Sequence, residues 1–174
     1  GCWFLFASVA SALDHVRFRH EQQTREVSGQ VLVEAADGGL LLLDRAGTLW
    51  AVTAEELESR QQDETPFEPF DAKAMSEQLL QQMPSGFRIH TTARYVICYS
   101  TSQEYARWCG ALFERLYFAF QNFWRERGLE LQDPASPLVA LVFDSQDRFA
   151  RYARAELGEA TPSIIGYFSL RTNR

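Results

Sequence analysis

Apolar positions along this chain follow two rhythms, with the change near the first third. Short apolar runs at residues 30–34, 40–44 and 48–52 are separated by Asp37-Gly38-Gly39 and Arg45-Ala46-Gly47. Glycine accepts the positive φ that tight turns need, so this stretch predicts a three-stranded meander. A meander that small has one face to bury and must pack on something else or complete a small barrel. Thr53-Ala54-Glu55-Glu56 has the form of a capping box and predicts a short helix to about Ser59. Residues 61–70 are polar and acidic and contain Pro66 and Pro69, which predicts a linker. The alternative there is an ordered loop with Phe67 and Phe70 docked on a flanking unit.

Beyond the linker, three- and four-residue spacing takes over. Asp71 is placed to cap a helix with Met75, Leu79, Leu80 and Met83 on one face, ending at Pro84-Ser85-Gly86. Residues 87–92 and 94–100 then predict two strands. Tyr105, Trp108, Cys109, Leu112, Phe113, Leu116, Tyr117, Phe120, Phe123 and Trp124 recur at helical steps. They predict a long helix over about 102–127, started by Thr101-Ser102-Gln103-Glu104 and stopped by Gly128. Residues 138–143 are continuously apolar, as in a strand covered on both faces. A further helix capped by Asp144 or Ser145 carries Phe149, Tyr152 and Ala153 to about Gly158, and residues 164–170 predict a last strand. The expected class is α+β: a β-meander domain at 13–60, the linker at 61–70, and at 71–174 a mixed sheet with one long covering helix and a shorter second one.

Size and charge narrow the picture. The chain has 174 residues, 46% of them hydrophobic, which is enough for a real core without disulfides. Lys+Arg 17 against Asp+Glu 23 gives a net charge of −6, which argues against nucleic acid as a partner. Three cysteines cannot all pair within one chain, and Cys98 and Cys109 fall inside apolar patterns, as core residues do. The apolar run from Cys2 closes on Ala10-Ser11-Ala12 and resembles a truncated export signal over 1–12, cleaved after Ala12, which places the protein outside the cytoplasm. The alternative is an N-terminal strand or buried helix. The run has about half the ~20 residues a membrane span needs, so no stable span is expected.

Candidate chemistry is sparse. His20-Glu21-Gln22-Gln23-Thr24 begins like the zinc helix His-Glu-x-x-His, but Thr24 stands where the second imidazole must be. His90 has no second histidine or acid close by in sequence, and a couple with Cys98 or Cys109 would need an accessible thiol in electropositive surroundings. Glu130, Asp133 and Asp144 read as loop carboxylates and a helix cap. The aromatic residues of the long helix read as core rather than a stacking platform, and Arg148, Arg151 and Arg154 as a solvated face. There is no glycine-rich phosphate loop.

Residues 87–97, 100–106, 114–120, 137–143 and 165–169 resemble blocks of an exported bacterial family. The larger members of that family look like gluzincin-type, peptidase-MA-like zinc metallopeptidases. The resemblance covers about half the chain and implies the first half of a zincin-like domain. It places the His-Glu-x-x-His helix and the later glutamate ligand after residue 174, so it implies no catalytic residue and no metal ligand here, with zinc only in a longer form. It also implies an edge strand, Ile165, Gly166, Tyr167, Phe168 and Ser169, that lines the substrate cleft. Such an edge hydrogen-bonds an extended peptide as an added strand, with Gly166 allowing close backbone approach and Tyr167 projecting toward substrate. The alternative is that Ile165, Tyr167 and Ser169 share a face with no ligand. Two functions follow as expectations: a fragment of a zinc peptidase, or a non-enzymatic scaffold of the cell envelope. Nothing in the sequence bears on oligomeric state.

Overall fold

Each of two compact units, one ending at Pro69 and one starting at Phe70, has its own core. The computed structural model describes residues 12–158 and 164–174, so the export-signal reading of 1–11 lies outside the described residues. The fold is α+β. No described helix is long and apolar enough to cross a membrane.

The first unit is a sheet of strands β1 (Ala12–His20), β2 (Gln23–Glu34), β3 (Leu40–Asp44), β4 (Leu49–Val52) and β5 (Leu57–Pro66). Their order is β4-β3-β2-β1-β5, with every neighbouring pair antiparallel. Val16, Phe18, Leu40, Leu42 and Val52 form its buried core. The expected meander is present as β2, β3 and β4, extended by two strands that apolar patterning does not reveal.

Two expectations are corrected here. The capping-box contacts do form, since the Thr53 N–H donates to the Glu56 carboxylate at 3.0 Å. They close a turn, however, and β5 follows where a helix was expected. Residues 61–66, expected as linker, are the second half of that strand. The physical reason is cross-strand charge: Arg60 Nε donates to Asp14 at 2.8 Å, Arg17 Nε to Glu58 at 3.1 Å, and His15 Nε2 lies 3.0 Å from Asp63. A polar run whose charges match those opposite it is held in a ladder without apolar alternation.

The second unit contains α1 (Ala72–Gln82), β6 (Arg88–Thr91), β7 (Tyr95–Tyr99), α2 (Gln103–Arg125), β8 (Leu138–Val142) and α3 (Gln146–Leu157). Side-chain caps start all three helices: Asp71 accepts from the Ala74 N–H, Ser102 from Tyr105 and Ser145 from Arg148. The sheet order is β6-β7-β8, antiparallel between β6 and β7 and parallel between β7 and β8, with α2 as the crossover. Alternation then builds three layers. Val96, Cys98, Val139 and Leu141 face Met75 and Leu79 of α1 and Tyr152 of α3. Tyr95, Ile97, Tyr99, Ala140 and Val142 face Ala106 and Phe113 of α2.

Helix α2 lies over β6 and β7. Its Gly110 permits the approach, because a Cβ there would fall 2.8 Å from Thr92 Cγ2 and 3.3 Å from the His90 ring. Glu114 fastens the same surface, accepting from Thr92 Oγ1 at 2.7 Å and from the Arg94 N–H at 2.8 Å.

The strand expected at 164–170 is absent. Residues 164–169 are irregular and run into a turn at 170–173. A strand needs a partner ladder, and this segment has none among the described residues.

Candidate peptide-binding edge

One edge of the second unit's sheet is open. β7 holds one side of β8, and among the described residues no strand pairs with the other. Leu138 N–H donates to Arg94 C=O, and Val142 C=O accepts from Ser100 N–H. In a parallel ladder both backbone groups of one residue point the same way, so Leu138, Ala140 and Val142 face β7. Val139, Leu141 and Phe143 therefore turn their N–H and C=O groups toward the open side.

Beside that edge lies a cavity of about 430 Å³. Its walls come from α2 (Tyr105, Cys109, Phe113), from the end of β8 and from Phe149 and Tyr152 of α3. Ile165, Gly166, Tyr167, Thr172 and Arg174 line its far side. Asp144, Ser145 and Gln146 are its polar rim, and Gln146 Nε2 donates to Ile164 C=O at 2.8 Å, which tethers the far segment.

Of the five expected edge residues, Ile165, Gly166 and Tyr167 line this cavity and Phe168 and Ser169 do not. Ile165 is 97% exposed and Phe168 60%, whereas Ser169 is 2% exposed. Gly166 has nothing within 4 Å of an added Cβ, so its face is open to an approaching backbone. Tyr167 turns inward: its ring meets Phe149 at 6.1 Å, and its hydroxyl donates to Glu156 at 3.1 Å. Burial, then the neighbouring Glu156 carboxylate, push that phenol up to about 12, so it stays protonated.

Cys109 and Asp144 of the cavity wall are also shifted in pKa, as is Cys98, which packs on the α1 side of the sheet. Burial raises the Cys109 thiol, and burial pushes Cys98 up to about 11, so both stay neutral near pH 7. Desolvation opposes ionisation of Asp144, but Arg148 at 3.0 Å outweighs it and holds the carboxyl below its ordinary value. Among the described residues, no cluster of three or more His, Cys, Asp or Glu side chains is arranged to hold a metal. The open edge of β8 carries backbone donors and acceptors at Val139, Leu141 and Phe143.

A second polar group was invisible in the sequence. Ser28 Oγ lies 2.7 Å from His15 Nδ1, and His15 Nε2 lies 3.0 Å from Asp63, three residues far apart in the chain. They sit on β2, β1 and β5, and cross-strand register alone brings them together. The chain of hydrogen bonds ties the three strands across the solvated face of the first unit.

A second groove, about 910 Å³, runs between the C-terminal half of α2 and the start of β8, lined by Leu116, Phe120, Trp124, Leu131, Pro134 and Leu138 among others. Comparison of the chain with protein-family models, with curated proteins and with solved structures finds no match.

Proposed function

We propose that the second unit is the scaffold of a zincin-like domain in a longer, exported zinc metallopeptidase-like protein. Its segment Ile165–Ser169 serves there as the edge that receives an extended peptide. The observation that carries this reading is the hairpin end at Ser169, whose N–H donates to Arg174 C=O at 2.8 Å. Ser169 is buried and Tyr167 packs on Phe149, whereas Gly166 has open space where a Cβ would stand and Phe168 is exposed. The backbone groups of Gly166 and Phe168 then face outward, available to a peptide in extended conformation. Main-chain hydrogen bonds give such a site affinity that is largely independent of peptide sequence.

In this reading the chain binds and orients. This reading assigns peptide hydrolysis to a His-Glu-x-x-His helix outside the chain. The test is the product of the complete reading frame. It should contain a His-Glu-x-x-His helix within about a hundred residues after Arg174 and hold one zinc per polypeptide by elemental analysis. It should also cleave an unfolded polypeptide. A complete product without that motif, without zinc and without cleavage sinks the peptidase reading and leaves a cell-envelope scaffold.

A further inference from the structure

On the solvated face of the first unit, Ser28, His15 and Asp63 stand in a row across β2, β1 and β5. Val16 and Phe18 point into the core, so alternation along β1 turns His15 and Arg17 to the opposite face. Ser28 is the register partner of His15 on β2, and Asp63 lies two residues beyond Gln61, its partner on β5. The row has a direction. Asp63 Oδ1 accepts from the Thr65 N–H at 2.7 Å. Hydrogen bonds from His15 and then Thr65 hold the Asp63 carboxyl below its ordinary value, so it is ionised and can only accept. His15 Nε2 therefore carries the hydrogen in its 3.0 Å contact with Asp63. The neutral ring then has a bare Nδ1, to which the Ser28 hydroxyl donates at 2.7 Å. A serine hydroxyl on the free nitrogen of an imidazole whose other nitrogen is held by a carboxylate is an arrangement that activates a nucleophile.

We infer that Ser28 is a nucleophile that takes an acyl group from small, uncharged esters, with His15 as its general base and Asp63 positioning the ring. Ser28 Oγ bonds to the ester carbonyl carbon, its proton passes to His15 Nδ1, and the carbonyl electron pair moves onto oxygen. When that pair returns, the carbon–oxygen bond to the alcohol breaks, and the alcohol leaves with the proton from Nδ1. The products are acyl-Ser28 and the free alcohol, with no further reactant. A cavity of about 180 Å³ adjoins His15 and is walled also by Arg17, Glu26, Ser59 and Gln61, which gives room for a short acyl group. Arg17 Nε donates to Glu58 at 3.1 Å, and the other donors of its guanidinium can hold the charge that develops on the carbonyl oxygen. Glu26 and Asp63 on the same face disfavour anionic esters. This inference concerns the first unit alone and goes beyond the peptide-binding reading; zinc and peptide affinity play no part in it.

The experiment treats the 174-residue chain with p-nitrophenyl acetate, an uncharged ester. Peptide mass spectrometry should find Ser28 acetylated roughly tenfold or more faster than any other serine, and Ser28→Ala should lose that product. Asp63→Asn supplies an amide that can donate to Nε2 and so leave the hydrogen on Nδ1. It should slow Ser28 acetylation roughly a hundredfold, the scale of a lost general base. Asp63→Glu keeps an acceptor-only carboxylate and should recover part of the rate. Acetylation of Lys73 in the same samples should not change, and slow exchange of the Val16 and Phe18 amides should show the sheet intact in each variant. Acetylation of Ser28 no faster than that of other serines overturns the inference and leaves the row as a tie between strands. So does a Ser28 rate that Asp63→Asn leaves unchanged, or one that Asp63→Asn and Asp63→Glu lower equally with the sheet intact.

Discussion

Substituting Gly110 by Ala tests how α2 is held against the sheet. In an exposed helix the change would stabilise by about 1 kcal/mol, because glycine loses more backbone entropy on folding. Here the new Cβ would meet Thr92 Cγ2 at 2.8 Å and the His90 ring at 3.3 Å. Thr92 cannot simply turn away, since its hydroxyl donates to Glu114 at 2.7 Å and accepts from the Tyr95 N–H at 3.0 Å. Relief must come from moving α2 outward or breaking a hydrogen bond that contributes about 1 kcal/mol. Overpacking of this sort costs about 1–3 kcal/mol. Set against the helical gain, the net expectation for Gly110→Ala is a loss of about 1–2 kcal/mol. Far-ultraviolet circular dichroism in urea is a suitable assay, because every described helix belongs to the second unit. The midpoint should fall by roughly 0.5–1 M at ordinary slopes. Thr92→Ser removes the obstructing methyl and keeps the hydroxyl, so the double variant should recover part of the loss. A Gly110→Ala protein as stable as the parent, or more stable, would refute the close approach.

Other expectations concern charge, thiols and processing. Arg60→Ala leaves Asp14, 2% exposed, without its 2.8 Å partner, and should cost the first unit about 3 kcal/mol; an unchanged melting profile for that unit would contradict this. Desolvation raises the Glu114 carboxyl, but hydrogen bonds from Thr92 and Arg94 outweigh it, so its folded pKa lies below its ordinary value. Its stabilisation is therefore full above the unfolded carboxylate range, near about pH 4.3, and is lost as pH falls through the lower folded value. Glu114→Gln should accordingly weaken the acid dependence of the urea midpoint. Cys98, buried with its thiol near 11, should resist alkylation in the folded protein and react on unfolding, as mass spectrometry of its peptide would show; rapid native labelling would contradict the packing. Protein made with its native start should be exported and begin at Leu13, which N-terminal sequencing would check.

What the sequence made legible followed the strength of its periodicity. Helix α2 carries so many apolar residues at three- and four-residue steps that its start at Ser102 was readable from spacing. The reading of its stripe as core holds for Cys109 and Tyr117 and fails for Tyr105, Trp108, Leu116, Phe120 and Phe123, which are exposed because the narrow sheet covers only part of the helix. The caps at Asp71, Ser102 and Ser145 were readable for a similar reason, since short polar side chains there satisfy orphan amides. Strand β5 was not, because Arg60, Glu58 and Asp63 are held by charges on β1, and a cross-strand partner forty or more residues away leaves no local mark. Residues 164–170 show the opposite failure. Their composition suits a strand, yet strand formation depends on a neighbour, and the described chain leaves a cavity in that place. The cross-strand chain from Ser28 through His15 to Asp63 likewise depends on register, which no single segment encodes. Residues 165–169 were readable only as a strand-like run, and no ladder forms there among the described residues. The inward turn of Tyr167 toward Glu156 was not readable, since α3 had to be placed first.

The claim that Gly166 and Phe168 present the peptide-binding backbone is tested most directly by the affinity of the complete protein for a fluorescent, end-capped peptide of alternating Leu and Thr. Phe168→Ala keeps the outward N–H, so binding should stay within about twofold of the parent, whereas Phe168→Pro removes that donor and should weaken binding roughly five- to tenfold. Equal affinities for the Ala and Pro variants, or no binding by the parent, would contradict the account.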